Sequence, residues 1–545
     1  MEISSVVRAA YVLFTAATLY LILYILLGSC MLPQGAGWAL VLLYAVAFCL
    51  GRLVPLLYRR LPPLLGMLAA GLMMRNLPGA PLDTSRAPLL LGHAFDWWSR
   101  WTRAVALAVI MLRAGLGLDL DKLRKLGLAT ARLAFLPCLS EALLVMALSG
   151  PLLGLPPAWG GTLGFVIAAV SPAVVVPGML DLGARGYGVA KGVPTMVTAA
   201  ASFDDVLAIA GFGVCLALAA GGEAIAATGH ALAGPEASNA TTARVVDTSG
   251  PTADLTWLVL RAPCELLVGI GFGIAYGTVA AGPASEHAAC RGGECRAHHA
   301  TLGDATHFRA VLAGAVLAVI GGKRADFSGG GALGALVLGA TASRLWPADA
   351  RKAVQAHVNA AWNHLQPALF GLLGAAVDVR SLDPAVLGSG VGLIASALTL
   401  RLLVTRLALI SSGLNAKESG LVCVAWLPKA TVQAAVGGAA LDLMQERGYG
   451  LEAEQRGRLV LMLSVLVILL TAPVGAIGIA ILGPRWLSKD ETTEGKAGGS
   501  DTSAAHSLPP EQSADTTSPT DEGAQYKNGI AMPAAEGSAA AAPHV

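Results

Sequence analysis

Two adjacent aspartates, Asp204 and Asp205, interrupt an apolar stretch, residues 193–218, that is long enough to cross a lipid bilayer. A carboxylate at the middle of a membrane helix costs about 2.5–3.5 kcal/mol on insertion scales, so such helices usually avoid it. Burial and mutual repulsion favour the protonated form of at least one carboxyl group, and the pair should titrate as a coupled unit. The chemistry expected of this pair is therefore reversible binding of a proton or a small cation.

Two further charged residues, Glu141 and Arg401, also fall within apolar stretches. Each is unfavourable alone in a membrane, but an oppositely charged partner makes both tolerable, and we therefore predict an ion pair between them. Two alternatives stay open, because each side chain can extend to the membrane interface and because Arg406 competes as the partner of Glu141 on spacing. Arg103, which flanks a shorter apolar core, can extend its charge to the interface in the same way.

Two of the apolar stretches contain prolines, at residues 171–178 and at residues 426–433. Proline lacks a backbone N–H and clashes with the preceding helical turn. Two kinked helices are one interpretation, because membrane helices tolerate proline when neighbouring groups satisfy the freed backbone. The interpretation we favour is two interrupted helices, with Thr431 and Lys429 beside the second interruption.

The composition is that of a polytopic membrane protein. The chain has 545 residues, 55% hydrophobic and 13% charged, whereas soluble domains carry about 25% charged residues. Apolar runs of about 17–25 residues predict an all-α protein with about fourteen membrane spans. The predicted spans are residues 8–31, 36–57, 61–75, 99–117, 126–149, 158–182, 192–219, 257–281, 306–322, 328–346, 357–378, 385–412, 417–441 and 457–484.

Several classes of function are disfavoured by the same composition. The net charge is +2 and no basic run is present, so we expect no nucleic-acid partner. No phosphate-binding loop or dinucleotide fingerprint occurs, which argues against an ATP-driven pump. We expect neither an enzyme nor a bound cofactor. The histidines and cysteines of residues 287–299 match no standard zinc module closely.

The order of the predicted spans indicates an internal repeat. The two proline-containing spans are the sixth and the thirteenth, and the spans of Glu141 and Arg401 are the fifth and the twelfth. Both pairs are seven apart, and two seven-span halves have opposite orientation in the membrane. Interrupted helices at matching places of an inverted repeat indicate an ion site near the membrane midplane, where helix ends face the ion.

Basic residues in the short loops predict the orientation. They follow the even-numbered spans, so we expect both termini in the cytoplasm. The sequon at Asn239 then lies in an outer loop, residues 220–256, where it could be glycosylated. Residues 486–545 are rich in small, polar and acidic residues, and we expect a disordered cytoplasmic tail there.

Several motifs together resemble the monovalent cation/proton antiporters, and most closely the animal sodium/proton antiporters of the NhaA-like branch. The resemblance extends from about residue 40 to residue 485. The matching stretches are LPPLLGMLAAGLMMRN (61–76), LRAGLGLD (112–119), SPAVVVPGML (171–180), GYGVAKGVPTMVTAAASFDDVLAIAGF (186–212), FGLLGAAVDV (370–379) and AWLPKATVQAAVG (425–437).

This resemblance implies a fold with two crossing interrupted helices beside the aspartate pair. Residues 1–485 would form the antiporter domain of a homodimer. Its core helices would be about 126–219 and 385–484, and its dimerisation helices about 8–117 and 257–378.

The resemblance also implies roles for particular residues. Asp204 and Asp205 would bind the cation or the proton, with backbone carbonyls from Val170 and Ala201 completing the site. Glu141 and Arg401 match the family's core ion pair, and Thr431 and Lys429 would support the helix crossing. The relatives carry glycine at the position of Ala201, and alanine keeps the carbonyl but narrows the backbone freedom there.

The implied function is exchange of Na⁺ or Li⁺ for H⁺ by competition at the aspartate pair, with movement of the core against the dimerisation helices. Bacterial members have a lysine in place of Arg401, and an arginine does not readily lose its proton, which favours electroneutral exchange. The protein would span the plasma membrane or an organelle membrane, in contact with lipid. A cation channel, a non-transporting Na⁺ or pH sensor and a transporter of an organic solute are the alternatives.

Overall fold

The computed structural model describes residues 17–26, 28–32, 35–57, 61–77, 82, 92–118, 120–233, 255–282, 293–325, 327–381 and 384–489. These residues are almost entirely α-helical and belong to one compact unit, Met1–Glu491. The β interaction found among them is an isolated bridge between Tyr187 and Lys489. The expectation of a mostly helical fold is confirmed.

The helices follow the predicted apolar spans in order. Among the described residues, eight helical stretches are long and apolar enough to cross a membrane, so the count of fourteen crossings stays a prediction. The helices are α1 (Ala17–Leu26), α2 (Ala36–Leu57), α3 (Pro63–Asn76), α4 (Gly92–Gly117), α5 (Leu120–Leu153), α6 (Pro157–Ala168), α7 (Pro172–Ala184), α8 (Val193–Ala233), α9 (Leu255–Ala281), α10 (Gly293–Arg324), α11 (Ser328–Leu345), α12 (Ala348–Ala375), α13 (Pro384–Ala408), α14 (Ala416–Ala425), α15 (Thr431–Val436), α16 (Ala439–Arg447) and α17 (Leu451–Trp486).

Both proline-containing spans are interrupted and not merely kinked. The first is divided into α6 and α7, and Pro172 is the first residue of α7, where a missing N–H costs nothing. The second is divided between α14 and α15, with Pro428 in the gap. The backbone N of Ser171 donates a hydrogen bond to the carbonyl oxygen of Pro428 at 2.8 Å, so the two interruptions are in direct contact.

Close packing around the interruptions depends on small residues. A Cβ added to Gly475 of α17 would lie 2.2 Å from Cγ of Pro428, so only glycine lets α17 approach the second interruption this closely. In α5, Gly127 has φ 75°, a left-handed conformation that divides the helix at the start of its apolar part.

The contacts between helices form two groups. The predicted division into core and dimerisation helices stays a prediction. Helix α5 packs on α6, α8 and α13, whereas α11 packs on α4, α9 and α10, and α12 packs on α3. Contacts between the two groups include those of α8 with α11 and of α15 with α4.

The largest differences from the predicted helix boundaries are in α8 and α10. Helix α8 continues to Ala233, beyond the predicted end at residue 219, and α10 begins at Gly293, before the predicted start at residue 306. Apolar runs mark only the part of a helix that lipid covers, and a helix can continue into water. Part of the predicted loop with histidines and cysteines is therefore helix, and residues 283–292 lie outside the described residues. Asn239 and the tail from residue 490 onward also lie outside them.

Candidate functional site

The aspartate pair of α8 lies against the first interruption. Asp204 is 0% exposed and Asp205 is 2% exposed. The backbone N of Val170, in the gap between α6 and α7, donates a hydrogen bond to Oδ2 of Asp204 at 2.8 Å. The interruption therefore supplies a backbone donor that a continuous helix would have used internally.

Arg401 of α13 holds the other oxygen of Asp204. Its Nη2 lies 2.9 Å from Oδ1 of Asp204, and its Nη1 lies 2.6 Å from Oε2 of Glu141. The same guanidinium donates to the carbonyl oxygens of Ala168 at 2.5 Å and Trp426 at 3.0 Å. These carbonyls follow or end α6 and α14, where helix ends leave acceptors unpaired. The rigid fork of donors on arginine suits such a site.

The structure thus brings together Glu141 and Arg401, the pair expected from the sequence, and adds Asp204 to it. Both Glu141 and Arg401 are fully buried, so neither side chain extends to an interface. Arg406, the competing partner, forms no ion pair with Glu141 in the described part of the chain.

Lys429 was predicted only to support the helix crossing, but it contacts the charged residues directly. Its Nζ is 2.8 Å from Oε2 of Glu141 and donates to the carbonyl oxygen of Ala168 at 2.9 Å. Its backbone N donates to Oγ1 of Thr471 on α17 at 3.0 Å, which fixes the second interruption. Thr431, the other predicted support, is buried at the first residue of α15.

Five buried ionisable side chains therefore form one cluster, which we call the charge cluster. When all are ionised, three carboxylates and two basic groups leave a net charge of −1. An uncompensated charge away from water is strongly unfavourable, so the cluster should bind one positive charge. Its members are Glu141, Asp204, Asp205, Arg401 and Lys429.

Three buried oxygens at this site have no hydrogen-bond partner among the described residues. They are Oδ1 of Asp205, Oε1 of Glu141 and Oγ of Ser171. Buried acceptors are nearly always satisfied, so each needs an explanation. A proton or a cation ligated by oxygen would satisfy the carboxylate of Asp205, the member of the pair that Arg401 does not contact directly.

The two predicted carbonyl ligands lie close to the aspartates in the chain or in space. Val170 is buried, and its N–H is bonded to Asp204. Ala201 is buried on α8, one helical turn before Asp205. The described hydrogen bonds do not involve the carbonyl oxygen of Val170, and the carbonyl oxygen of Ala201 faces the backbone N–H of Asp205 inside α8, so the roles of both carbonyls stay predictions.

Sequence reasoning missed two polar residues here. Ser171 follows Val170 in the first interruption, and Gln433 of α15 donates through Nε2 to the carbonyl oxygens of Val166 and Ala169, both at 2.8 Å. Each is a polar residue inside an interrupted apolar span, and that signal could have identified them. Within the described residues, no group of three or more histidine, cysteine or acidic side chains could hold a resident metal ion.

Comparison with known proteins identifies the family of the chain. The family model described as "Sodium/hydrogen exchanger, transmembrane" matches residues 44–483, which is more than half of the chain. The chain belongs to the sodium/hydrogen exchanger family. Its resemblance to the cation/proton antiporters is therefore confirmed, and the chain is an integral, multi-pass membrane protein.

Similar members of this exchanger family include two animal proteins. The chain is 37% identical to human sodium/hydrogen exchanger 9B2 over 477 residues, covering 87% of this chain and 79% of that protein. It is 36% identical to human sodium/hydrogen exchanger 9B1 over 469 residues, covering 85% and 81% respectively. These relatives are named as transporters and not as enzymes.

The fold of this exchanger-family chain is also similar to a solved structure. The sodium proton antiporter MjNhaP1 from Methanocaldococcus jannaschii at pH 8 superimposes with a TM-score of 0.55. The match covers 82% of this chain and 98% of that chain, at 18% sequence identity. At that identity the likeness shows the fold alone.

Proposed function

We propose that the protein exchanges Na⁺ or Li⁺ for H⁺ across a membrane, by competition of the two ions for Asp205. The observation that carries the proposal is the buried Oδ1 of Asp205, which has no partner within the described residues. The proposal is supported by the relatives that are named sodium/hydrogen exchangers and by the structural neighbour, a sodium proton antiporter.

The two aspartates have different roles in this proposal. Both oxygens of Asp204 accept hydrogen bonds, one from Arg401 and one from the backbone of Val170, so Asp204 stays ionised and positions the site. Asp205 is the carboxylate whose occupant changes. Ser171 and the carbonyls of Val170 and Ala201 are the proposed oxygen ligands that would replace part of the water around the cation.

The charge cluster sets the stoichiometry at one cation for one proton. Its net charge of −1 is neutralised by either ion, and binding both would leave an excess positive charge in a buried site. In this proposal Arg401 and Lys429 both keep their protons, so both loaded forms carry the same charge. Exchange is therefore electroneutral.

Alternating access would come from movement of the core helices against the dimerisation helices of a homodimer. In this arrangement both termini lie in the cytoplasm, and the residues of α8 that precede Asp205 lie on its cytoplasmic side. Two other functions use the same residues: a cation channel and a non-transporting Na⁺ or pH sensor. A channel would give currents that need no pH gradient, and a sensor would bind Na⁺ without flux.

The test is exchange by purified protein in liposomes, measured as proton movement driven by a Na⁺ or Li⁺ gradient. We expect Asp205→Asn to abolish exchange, because an amide cannot release a proton or neutralise a cation. Asp181→Asn is the matched control, since Asp181 of α7 is exposed and its ion pair within the described residues is with Arg185 on its own helical turn. Substantial residual exchange in folded Asp205→Asn protein, together with normal exchange in the control, would exclude Asp205 from the role.

A further inference from the structure

A second buried ion pair connects the two groups of helices away from the aspartates. Arg103 of α4 is 7% exposed and Asp442 of α16 is 2% exposed. Nη2 of Arg103 lies 2.5 Å from Oδ1 of Asp442, and its Nε lies 3.2 Å from Oδ2. Arg103 does not extend to an interface, which the sequence had allowed. The bidentate geometry is the strong, directional form of such a pair.

The surroundings of Arg103 form a fitted site for its guanidinium. Oγ of Ser99, one turn earlier on α4, accepts a further hydrogen bond from Nη1 at 2.5 Å. A Cβ on Gly438, which precedes α16, would lie 2.9 Å from Nε of Arg103, so a glycine is needed for this approach. We call Arg103 and Asp442 the α4–α16 ion pair.

A cavity lies beside the α4–α16 ion pair. Its lining includes Leu107, one turn from Arg103, Leu443, next to Asp442, and the charged residues Lys323 and Glu446. It also includes Ile209, Phe212 and Leu216, which follow Asp205 by four, seven and eleven residues and so share its face of α8. These three side chains are buried and apolar, so they separate Asp205 from the C-terminal side of α8.

The opposite side of Asp205 has a different character. Thr198 and Ser202 precede Asp205 by seven and three residues on a similar face of α8, and both are half-buried. Oγ1 of Thr198 has no hydrogen-bond partner within the described residues. Hydroxyl groups therefore lie on the N-terminal side of the aspartate along α8, whereas buried apolar side chains, a cavity that Lys323 and Glu446 also line, and the α4–α16 ion pair lie on its C-terminal side.

We propose that the α4–α16 ion pair closes the ion pathway on the C-terminal side of α8, and that it must break before Asp205 becomes accessible from that side. This proposal rests on the proposed function, because a contact that closes one side of the pathway has a role only in a protein with alternating access. Helix α4 belongs to the predicted dimerisation group and α16 to the predicted core group, so relative movement of the groups separates the two charges. A buried ion pair suits reversible closure, because desolvation offsets much of its attraction and water stabilises both charges once they separate.

Substituting one partner should therefore destabilise the closed form selectively. The closed form would then contain a buried charge without its partner, whereas the open form would keep that charge in water. The expected result is a shift of the equilibrium toward access from the C-terminal side of α8.

The test is labelling of a cysteine in the cavity by a membrane-impermeant maleimide applied from that side. The reporter is Leu216→Cys in protein whose native cysteines are replaced, with Na⁺-driven proton flux measured in parallel. We expect Arg103→Gln and Asp442→Asn each to raise the labelling rate by at least about fivefold, the low end of typical conformational coupling. Because both changes remove the same contact, the double variant should show no further additive rise.

The matched control is Arg113→Gln, since Arg113 lies on α4 and forms no ion pair with the described residues. The labelling rate of the Arg113→Gln variant should equal that of the reporter protein with native Arg113. Unchanged labelling in Arg103→Gln and Asp442→Asn, or additive rises in the double variant, would overturn the role of the α4–α16 ion pair. If a single variant does not fold, the double variant, which carries no charge at either position, decides the question by its own labelling rate: a rise supports the role of the ion pair, and a rate equal to that of the parent protein overturns it.

The two proposals fail in different ways. If the protein exchanges ions normally but its labelling rate does not change in the Arg103 and Asp442 variants, only the proposed closure is wrong. If the labelling rate rises in both variants but the protein exchanges no ions, only the proposed antiport is wrong.

Discussion

At the scale of single residues, Arg401 determines the geometry of the charge cluster. It contacts Glu141, Asp204 and two carbonyl oxygens that belong to different interrupted helices. A lysine could not make all these contacts, because its single ammonium group is a point donor and the guanidinium is a planar fork. Arg401 therefore holds the carboxylates and the helix ends in one fixed arrangement.

Replacing Arg401 should be costly to stability. Arg401→Gln leaves the buried carboxylate of Asp204 without its charged partner, and loss of one member of a buried ion pair costs about 3–5 kcal/mol. We expect a clear fall in thermal stability, measured by melting of the protein in detergent. Arg185→Gln is the control, because its exposed pair with Asp181 should contribute less than about 1 kcal/mol. Equal melting temperatures for the two variants would contradict the structural role of Arg401.

The sequence predicted part of this site from residue type alone. Carboxylates and an arginine inside apolar runs indicate partners, and this reasoning identified Glu141, Arg401 and the aspartate pair. It could not predict that Arg401 also contacts Asp204, because charge type and position within an apolar run do not indicate which buried carboxylates share one guanidinium. Asp442 was missed for a related reason: it lies near the end of an apolar run, where charges are common and carry little information.

At the scale of helices, the two interruptions form one unit held by α17. Lys429 binds Thr471, and Gly475 lies against Pro428, so two successive turns of α17 support the second interruption. Proline in the sequence predicted that the helices would be interrupted. The residues that pack against the interruption depend on tertiary contacts, and neither apolar periodicity nor proline position indicates them.

A methyl group at Gly475 should disturb this unit. In Gly475→Ala the new Cβ would lie 2.2 Å from Cγ of Pro428, a ring that cannot rotate away. Overpacking of this kind typically costs about 1–3 kcal/mol. We expect lower thermal stability and weaker apparent affinity for Na⁺ in exchange assays.

Gly388→Ala supplies the matched control for the change at Gly475. No atom lies within 4 Å of a Cβ at Gly388 on α13, so alanine there should be neutral or slightly stabilising. If both variants had the thermal stability and the apparent Na⁺ affinity of the wild type, the contact between α17 and the second interruption would contribute to neither.

At the scale of the whole molecule, two groups of helices meet at the α4–α16 ion pair. The interrupted helices and α5, α8 and α13 hold the charge cluster, while the α4–α16 ion pair joins this group to the helices around it. Composition and apolar runs predicted a multi-pass helical protein. They could not predict where the helix groups meet, since those contacts join helices far apart in the chain.

The central claim is that Asp205 holds one proton or one Na⁺ but not both. The most direct measurement is proton release when Na⁺ is added to purified protein in weakly buffered detergent solution, near the pH at which exchange is half-maximal. The account predicts that protons leave the protein as Na⁺ binds, in proportion to the sites that were protonated, and that Asp205→Asn releases none. Saturable Na⁺ binding at this pH without proton release, or equal release by Asp205→Asn, would contradict it.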